Sequence, residues 1–351
     1  MNRSGRASPG ARRRATRADV AELAGTSTAV VSYVINDGPR RVAPHTAERV
    51  RAAIEELGYR PNAVARSLRL QRTRALGLVV PDLANPFFAE LASAIELHAS
   101  EYGEALLLGN SLDSEDRESD NLRTFIDYRV DGLIVVPVSS GGGSLSLLRE
   151  FDMPVVILDR TVPGAGAPTV LPDNAAGAAA ATDHLLAHGY ESVGCVAGPE
   201  EIFTAEERLQ GWRTAVERVG LRADERLVVR SEFDRDAACR AATRLLSGPA
   251  RPRALFVSSD EQAFGVLRAS ARLGLRVPDD LALVGFDGLR HSQSTVPRLA
   301  TMRQPFGRFG KLAVELVHRQ PPATADEIIR LPVTLQAGGT CGCADDVEEG
   351  V

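Results

Sequence analysis

At 351 residues, 44% apolar and 25% charged, the chain is too long for one small core and too balanced for a disordered or fibrous protein. Four scattered cysteines do not make a disulfide framework, no apolar run reaches the ~18 residues of a membrane span, and the Arg-rich start lacks the apolar stretch of a secretory signal, so the cytoplasm is expected. The net charge of −5 conceals a split: residues 1–74 carry 15 Arg against 6 acidic residues, a balance of +9, while the rest of the chain stands at −14, which points the head and not the body at a polyanion.

Residues 1–15, with five Arg among Gly, Pro and Ser, form an arm expected to be disordered. From Thr16 to Asp37 the chain reads as two short helices and a tight turn. Thr16 can cap the first, answered by Asp19 across the first turn. Gly25 suits a left-handed corner, and Ser27 can cap the second helix. Small Ala21, turning Gly25 and apolar Val31 have the spacing of a helix-turn-helix, although a generic helical hairpin shares much of that pattern. A third helix from about Pro44 to Leu57 carries the stripe Val50, Ile54, Leu57 and ends at Gly58. The basic stretch 61–74 reads as a hinge that folds only when held. Val64 and Leu68 stand four apart, flanked by Arg66 and Arg69, a pattern suited to dimer pairing and minor-groove insertion.

From Ala75 apolar strands alternate with helices: ALGLVVPD, EALLLGNS, VDGLIVVP and MPVVILDR, separated by FFAELASAIELHASEYG, EDRESDNLRTFIDYR and LSLLREF. A second series begins near Asp173, with strands ESVGCVAG, RLVVRS, RALFVSSD and DLALVGFD between helices. Continuous apolar strands with crossover helices predict two doubly wound parallel sheets. Their carboxyl ends, where such sheets take ligands, carry Asp82, Ser111, Asp113, Ser139, Asp159, Arg160, Ser259, Asp260 and Asp287. With stacking faces from Phe87, Phe88 and Phe233 they suit a polyhydroxylated ligand, although each polar residue alone also suits a helix N-cap. No phosphate loop, nucleophile elbow or HExxH spacing is present. The pair Cys341 and Cys343 has no further Cys pair or His nearby in sequence, so no metal or other cofactor is expected. A transport receptor fits the two sheets but not the basic head, and an α/β enzyme lacks a reactive group.

The motifs DVAELAGTS, VSYVIN, ERVRAAIEELGYRPNAVARSLR, GLVVPDLANPFFAEL, RLQGWRTA, LRVPDDLALVGFD and LATMRQPFGRFGKLAVELV stand in the order of the LacI/GalR family of bacterial transcription regulators, which the chain resembles over about residues 16–340. That resemblance implies an N-terminal all-α helix-turn-helix DNA-binding domain at 16–60 and a hinge at 61–74. It also implies an α/β core at 75–340, similar to periplasmic binding proteins, with two doubly wound parallel-sheet subdomains. Subdomain one is expected at 75–172 and 301–319, subdomain two at 173–300 and 320–340, with a tail at 341–351. It implies a homodimer on a near-palindromic DNA operator, read as a repressor, whose affinity answers to a small effector, with a sugar favoured. There is no leucine-heptad tail after Val333 to favour a tetramer.

By the same resemblance Thr28, Ala29 and Tyr33 meet base edges. Tyr33 stands where Arg is common and cannot read guanine bidentately. Thr16, Ser27, Ser32 and Asn36 complete the expected DNA-facing set. Leu68 takes the place of the hinge leucine that wedges between base pairs, with Asn62 and Ala65 as its hinge partners. Arg208, Phe233, Ser259 and Asp287 take effector positions, joined by the strand-end carboxylate Asp82 and the stacking face Phe87.

Overall fold

The structure, a computed structural model, describes residues 15–35, 41–60, 72–141, 143, 153–319 and 327–344. Residues 1–14 of the Arg-rich arm, Asn36, hinge residues 61–71 with Asn62, Ala65 and Leu68, and the helix expected over LSLLREF lie outside these residues. The chain divides into two compact units, with the boundary between Thr73 and Arg74.

The described residues of the head form three helices, α1 (Arg17–Leu23), α2 (Thr28–Ile35) and α3 (Pro44–Leu57). Thr16 begins α1 with a full capping box: its hydroxyl accepts from Asp19 N at 3.3 Å, and the Asp19 carboxylate accepts from Thr16 N at 2.7 Å. Such a cap stabilises a short helix by about 1 kcal/mol. Gly25 at φ +60° turns the corner, and Gly58 at φ +57° ends α3. The Ser27 hydroxyl accepts from Val30 N at 3.3 Å. Val20, Ala21, Ala24, Val31, Val50, Ala53 and Tyr59 pack as the core of the unit, and its small residues let the helices approach closely.

The second unit contains two six-stranded sheets. The first uses β1 (Ala75–Val80), β2 (Ala105–Asn110), β3 (Gly132–Val135), β4 (Val155–Leu158), β5 (Thr169–Pro172) and β11 (Ile328–Leu331), all parallel in the order β11-β5-β4-β3-β1-β2. Leu76, Leu78 and Val80 pack on one face with helices α4 (Pro86–Glu101) and α10 (Phe306–His318). Val79 packs on the other with Leu122 and Phe125 of α5 (Glu115–Asp127). Burial on both faces is why these strands are apolar without alternation.

The second sheet uses β6 (Val193–Ala197), β7 (Val228–Arg230), β8 (Ala254–Val257), β9 (Ala282–Asp287), β10 (Ala300–Arg303) and β12 (Thr334–Gln336) in the order β12-β10-β9-β8-β6-β7. Helices α6 (Asn174–Ala187) and α7 (Phe203–Arg218) cover one face, and α8 (Arg235–Leu246) and α9 (Asp260–Arg272) the other. Only β12 runs antiparallel among these strands, closing an otherwise parallel edge.

The chain crosses between the sheets three times, after β5, after β10 and after β11. The two later crossings fall beyond the positions expected from sequence. Residues 301–303 belong to the second sheet and 328–331 to the first, because β10 pairs with β9 before the chain leaves and β11 returns to pair with β5 as the edge strand. The strand β5, TVLP, follows the PGAGAP loop, and with Thr169 and Pro172 at its ends it has only two apolar residues, too few to show a strand pattern in the sequence.

Candidate functional site

The head presents the start of α2. Ser27, Thr28 and Ala29 are exposed, as is Thr16 at the start of α1, while Ser32 and Tyr33 are half-buried. Val31 is fully buried between them. The helix thus holds its apolar side on the small core and leaves its first turn open, the end that a recognition helix offers to base edges.

In the second unit the carboxyl ends of both sheets open onto one cleft of about 430 Å³. The first sheet contributes Asp82 after β1, Asp113 after β2, Ser139 after β3, and Asp159 and Arg160 after β4. The second contributes Glu201, Glu232, Phe233, Asp234, Ser259 and Asp287 from its own strand ends, and Arg208 from α7. All six expected effector residues, Asp82, Phe87, Arg208, Phe233, Ser259 and Asp287, line this space. Ser111 and Asp260, also at strand ends, do not reach it. The Asp260 carboxylate accepts from Leu289 N at 2.8 Å and from the Thr301 hydroxyl at 2.6 Å, which ties loops inside the second lobe.

Arg208 is held by three elements. Its Nε donates to Asn174 Oδ1 at 2.8 Å, and its Nη1 donates to the Ser258 carbonyl at 2.6 Å and lies 3.4 Å from Asp287 Oδ1. The guanidinium rests 3.9 Å above the Phe286 ring. These bonds fix its plane and leave Nη2 outside them. Asn174 Nδ2 donates to Glu207 at 3.0 Å, and Arg330 of β11 donates to the same carboxylate at 2.6 Å. The chain of contacts therefore begins at the cleft in one lobe and ends on the last strand of the other.

Asp287, at φ +121°, accepts from Gln304 Nε2 at 2.9 Å. Burial pushes its carboxyl up to about 7, with Arg208 opposing and Asp159 adding to the rise. Asp159 is raised in the same direction by burial, against Arg208 and Arg160, and burial lowers Arg160. Asp159 Oδ1 and Arg160 Nε are buried without a hydrogen-bond partner, although Arg160 Nη1 donates to the carbonyls of Pro137 and Val138 at 2.8 and 2.5 Å. Buried polar atoms left open in this way suit a ligand with its own donors and acceptors.

Two aromatic walls complete the cleft. Phe87, in the first turn of α4, packs edge-on to Phe88 at 5.1 Å and tilted to Phe306 at 5.4 Å. Phe233 approaches because residue 198 is glycine: a Cβ there would stand 2.5 Å from Phe233 Cζ. Ser259 has a double role, since its hydroxyl accepts from Gln262 N at 3.2 Å as the cap of α9 and also lines the cleft. Asn174, Glu207 and Glu232 are not among the residues expected from sequence. A buried Asn one place after the Asp173 cap is the available signal for the first.

The family described as "Bacterial regulatory proteins, lacI family" matches residues 16–62, and that described as "Periplasmic binding proteins and sugar binding domain of LacI family" matches residues 73–327. The ribose operon repressor of Escherichia coli (strain K12) is 36% identical over 329 residues, 92% of this chain and 99% of its own. The HTH-type transcriptional repressor PurR of Photobacterium profundum is 36% identical over 305 residues, 86% of this chain and 91% of its own. Among solved structures, the lac repressor dimer bound to operator and the anti-inducer ONPF superposes with a TM-score of 0.84 at 27% identity, covering 94% of this chain and 99% of that one.

Proposed function

The chain belongs to the LacI family of bacterial regulatory proteins, and from that premise we propose which residues read DNA and which ligand controls the reading. It is a DNA-binding transcriptional regulator and not an enzyme. In our reading it acts in the cytoplasm as a homodimeric repressor, with the arm and hinge (residues 1–15 and 61–74) flanking the helix-turn-helix head.

Thr28, Ala29 and Tyr33 would meet base edges, with Thr16, Ser27, Ser32 and Asn36 beside them. Thr28 and Ala29 offer methyl groups suited to thymine, and Tyr33 offers one hydroxyl. The two halves of a dimer would then select a near-palindromic operator. Leu68, with Asn62 and Ala65, would act in the hinge. Leu68→Ala should weaken operator binding strongly while leaving effector binding intact.

The effector in this reading is a neutral sugar. The lining supports it: seven acidic side chains, Asp82, Asp113, Asp159, Glu201, Glu232, Asp234 and Asp287, face two arginines among the described residues, so acidic groups outnumber the arginines even with Asp287 and Asp159 raised toward their neutral forms. Phosphorylated sugars and nucleotides would be repelled by that field. Hydroxyl groups can donate to the carboxylates while Arg208 and Arg160 donate to ring or hydroxyl oxygens, and Phe87 and Phe233 cover the apolar faces of a sugar ring. The ligand acts by preferring one arrangement of the two lobes.

Selection of bound operators from random DNA, repeated with pentoses, hexoses, disaccharides, sugar phosphates and purines, tests this reading. A near-palindrome should emerge and a neutral sugar should change its affinity. Salt-dependent binding without sequence preference would sink the operator assignment. A response only to a purine or a sugar phosphate would sink the ligand class.

A further inference from the structure

Away from the cleft, four side chains from distant parts of the sequence converge. His184 and His188 lie one helical turn apart at the carboxyl end of α6, and Cys341 and Cys343 flank Gly342 after β12. His184 Nε2 stands 3.1 Å from Cys341 Sγ and 3.5 Å from Cys343 Sγ, and His188 Nε2 stands 3.4 Å from Cys343 Sγ. All four ligand atoms lie within 4.8 Å of one another. No other group of three or more such ligands occurs among the described residues.

We propose that His184, His188, Cys341 and Cys343 form a tetrahedral site for one zinc ion, which ties α6 to the end of the second lobe. Zinc bonds to thiolate and imidazole, at about 2.3 and 2.0–2.1 Å, give tetrahedron edges of about 3.3–3.8 Å. The three sulfur–nitrogen separations of 3.1, 3.5 and 3.4 Å fall near those edges, and the whole set, within 4.8 Å, needs only small side-chain shifts to close on one ion. Two sulfurs with two imidazoles in tetrahedral array are a zinc ligand set. The spacing also fits: residues four apart on a helix share a face, and Gly342 at φ +96° makes the reversal that turns both sulfurs toward it. The site sits at the carboxyl end of α6, where the helix dipole favours a cation.

Binding displaces the two thiol protons to solvent and forms two zinc–thiolate and two zinc–imidazole bonds, so the dication and two thiolates cancel in charge. Cys341 is buried, His184 and Cys343 are half-buried and His188 is exposed, so the ion can enter from one side. Thr340 already fastens this turn, accepting from Ala300 N at 2.8 Å and donating to the Leu283 carbonyl at 2.9 Å. The metal would add a second fastening, to α6.

The test uses the full chain without an affinity histidine tag, purified from zinc-supplemented cells. Elemental analysis should find about one zinc per chain, and replacement by cobalt should give the visible absorption of tetrahedral thiolate–imidazole coordination. His188→Gln and Cys343→Ser, both at accessible positions, should lose the metal and the cobalt spectrum while remaining folded by circular dichroism. A strong chelator should lower the melting temperature of the parent and leave that of Cys343→Ser unchanged. Substoichiometric zinc in the parent, metal retained by both variants, or a Cys341–Cys343 disulfide in anaerobically prepared protein would each overturn the site.

Discussion

In the second lobe Arg208 reaches the cleft with two of its nitrogens bound to Asn174, Ser258 and Asp287, whereas in the first lobe Asp159 and Arg160 arrive with buried atoms still open. The second lobe is further braced by Gln262, whose amide donates to the Ala197 and Ser231 carbonyls at 3.1 and 3.0 Å. One lobe thus presents a preset surface, and the other presents polar groups whose bonding is finished only by a ligand. Preorganisation on one side reduces the ordering that binding must accomplish. The open side supplies the difference between empty and filled states that a switch requires.

The largest effect is expected at Arg208. Arg208→Ala leaves Asn174, the Ser258 carbonyl and Asp287 without their shared donor, so effector affinity should fall by about 100-fold or more, read by calorimetry. Arg208→Lys should recover only part of it, since one ammonium cannot repeat the planar fork. Next in size is Gly198→Ala, whose Cβ would press on Phe233. Displacing that ring should weaken binding about tenfold, with little change in operator affinity without effector.

Asp159→Asn sharpens the contrast from the other side. It removes a carboxyl whose ionised form burial disfavours, so thermal stability should rise by a few degrees while effector affinity falls by about fivefold, roughly 1 kcal/mol. An affinity unchanged by this substitution would mean that the first lobe is as preset as the second.

The smallest effect expected is in the pH dependence. The Asp287 carboxyl is raised from 3.8 to about 7 in the folded protein. The folded state therefore keeps a proton that the unfolded chain has lost, and stability should decline as pH rises from the lower value to the upper. A sugar hydroxyl donating to Asp287 favours the carboxylate, so effector affinity should increase several-fold on passing upward through neutrality. Asp287→Asn should flatten both profiles, measured by melting temperature and titration calorimetry.

Much of this architecture is legible because burial on both sides leaves parallel strands without polar alternation. The chain between Ala75 and Asp287 announces most of its strands that way, and Thr16, Gly25 and Gly58 announce the helix ends of the head. Short strands with few apolar residues announce less: TVLP and the antiparallel β12 have too few to show a period. Of the six expected effector residues, Asp82, Ser259 and Asp287 are legible as strand ends and Phe87 and Phe233 as stacking faces, while Arg208 enters from a helix and is expected only through the family resemblance; the roles of Asn174 and Glu207 arise from contacts between helices and between lobes, which local sequence does not carry. The histidine–cysteine cluster escapes sequence reasoning for the same reason. His184-x3-His188 gives two ligands on one helical face, yet Cys341 lies 157 residues beyond His184, and only the folding of the last strand brings them together.

The three crossings between lobes have a mechanical consequence. β5 runs beside β11, with Pro172 opposite Leu331, and β10 runs beside β12, with Arg303 opposite Thr334. The connecting segments leave from neighbouring strands, so they form a ribbon three chains wide. A single tether would leave one body free to swivel about the other in every direction. A ribbon bends about the line across its width and resists shear and torsion. Energy released by a ligand in the cleft is thereby confined to one opening-and-closing coordinate, and little of it is dissipated in motions that carry no signal.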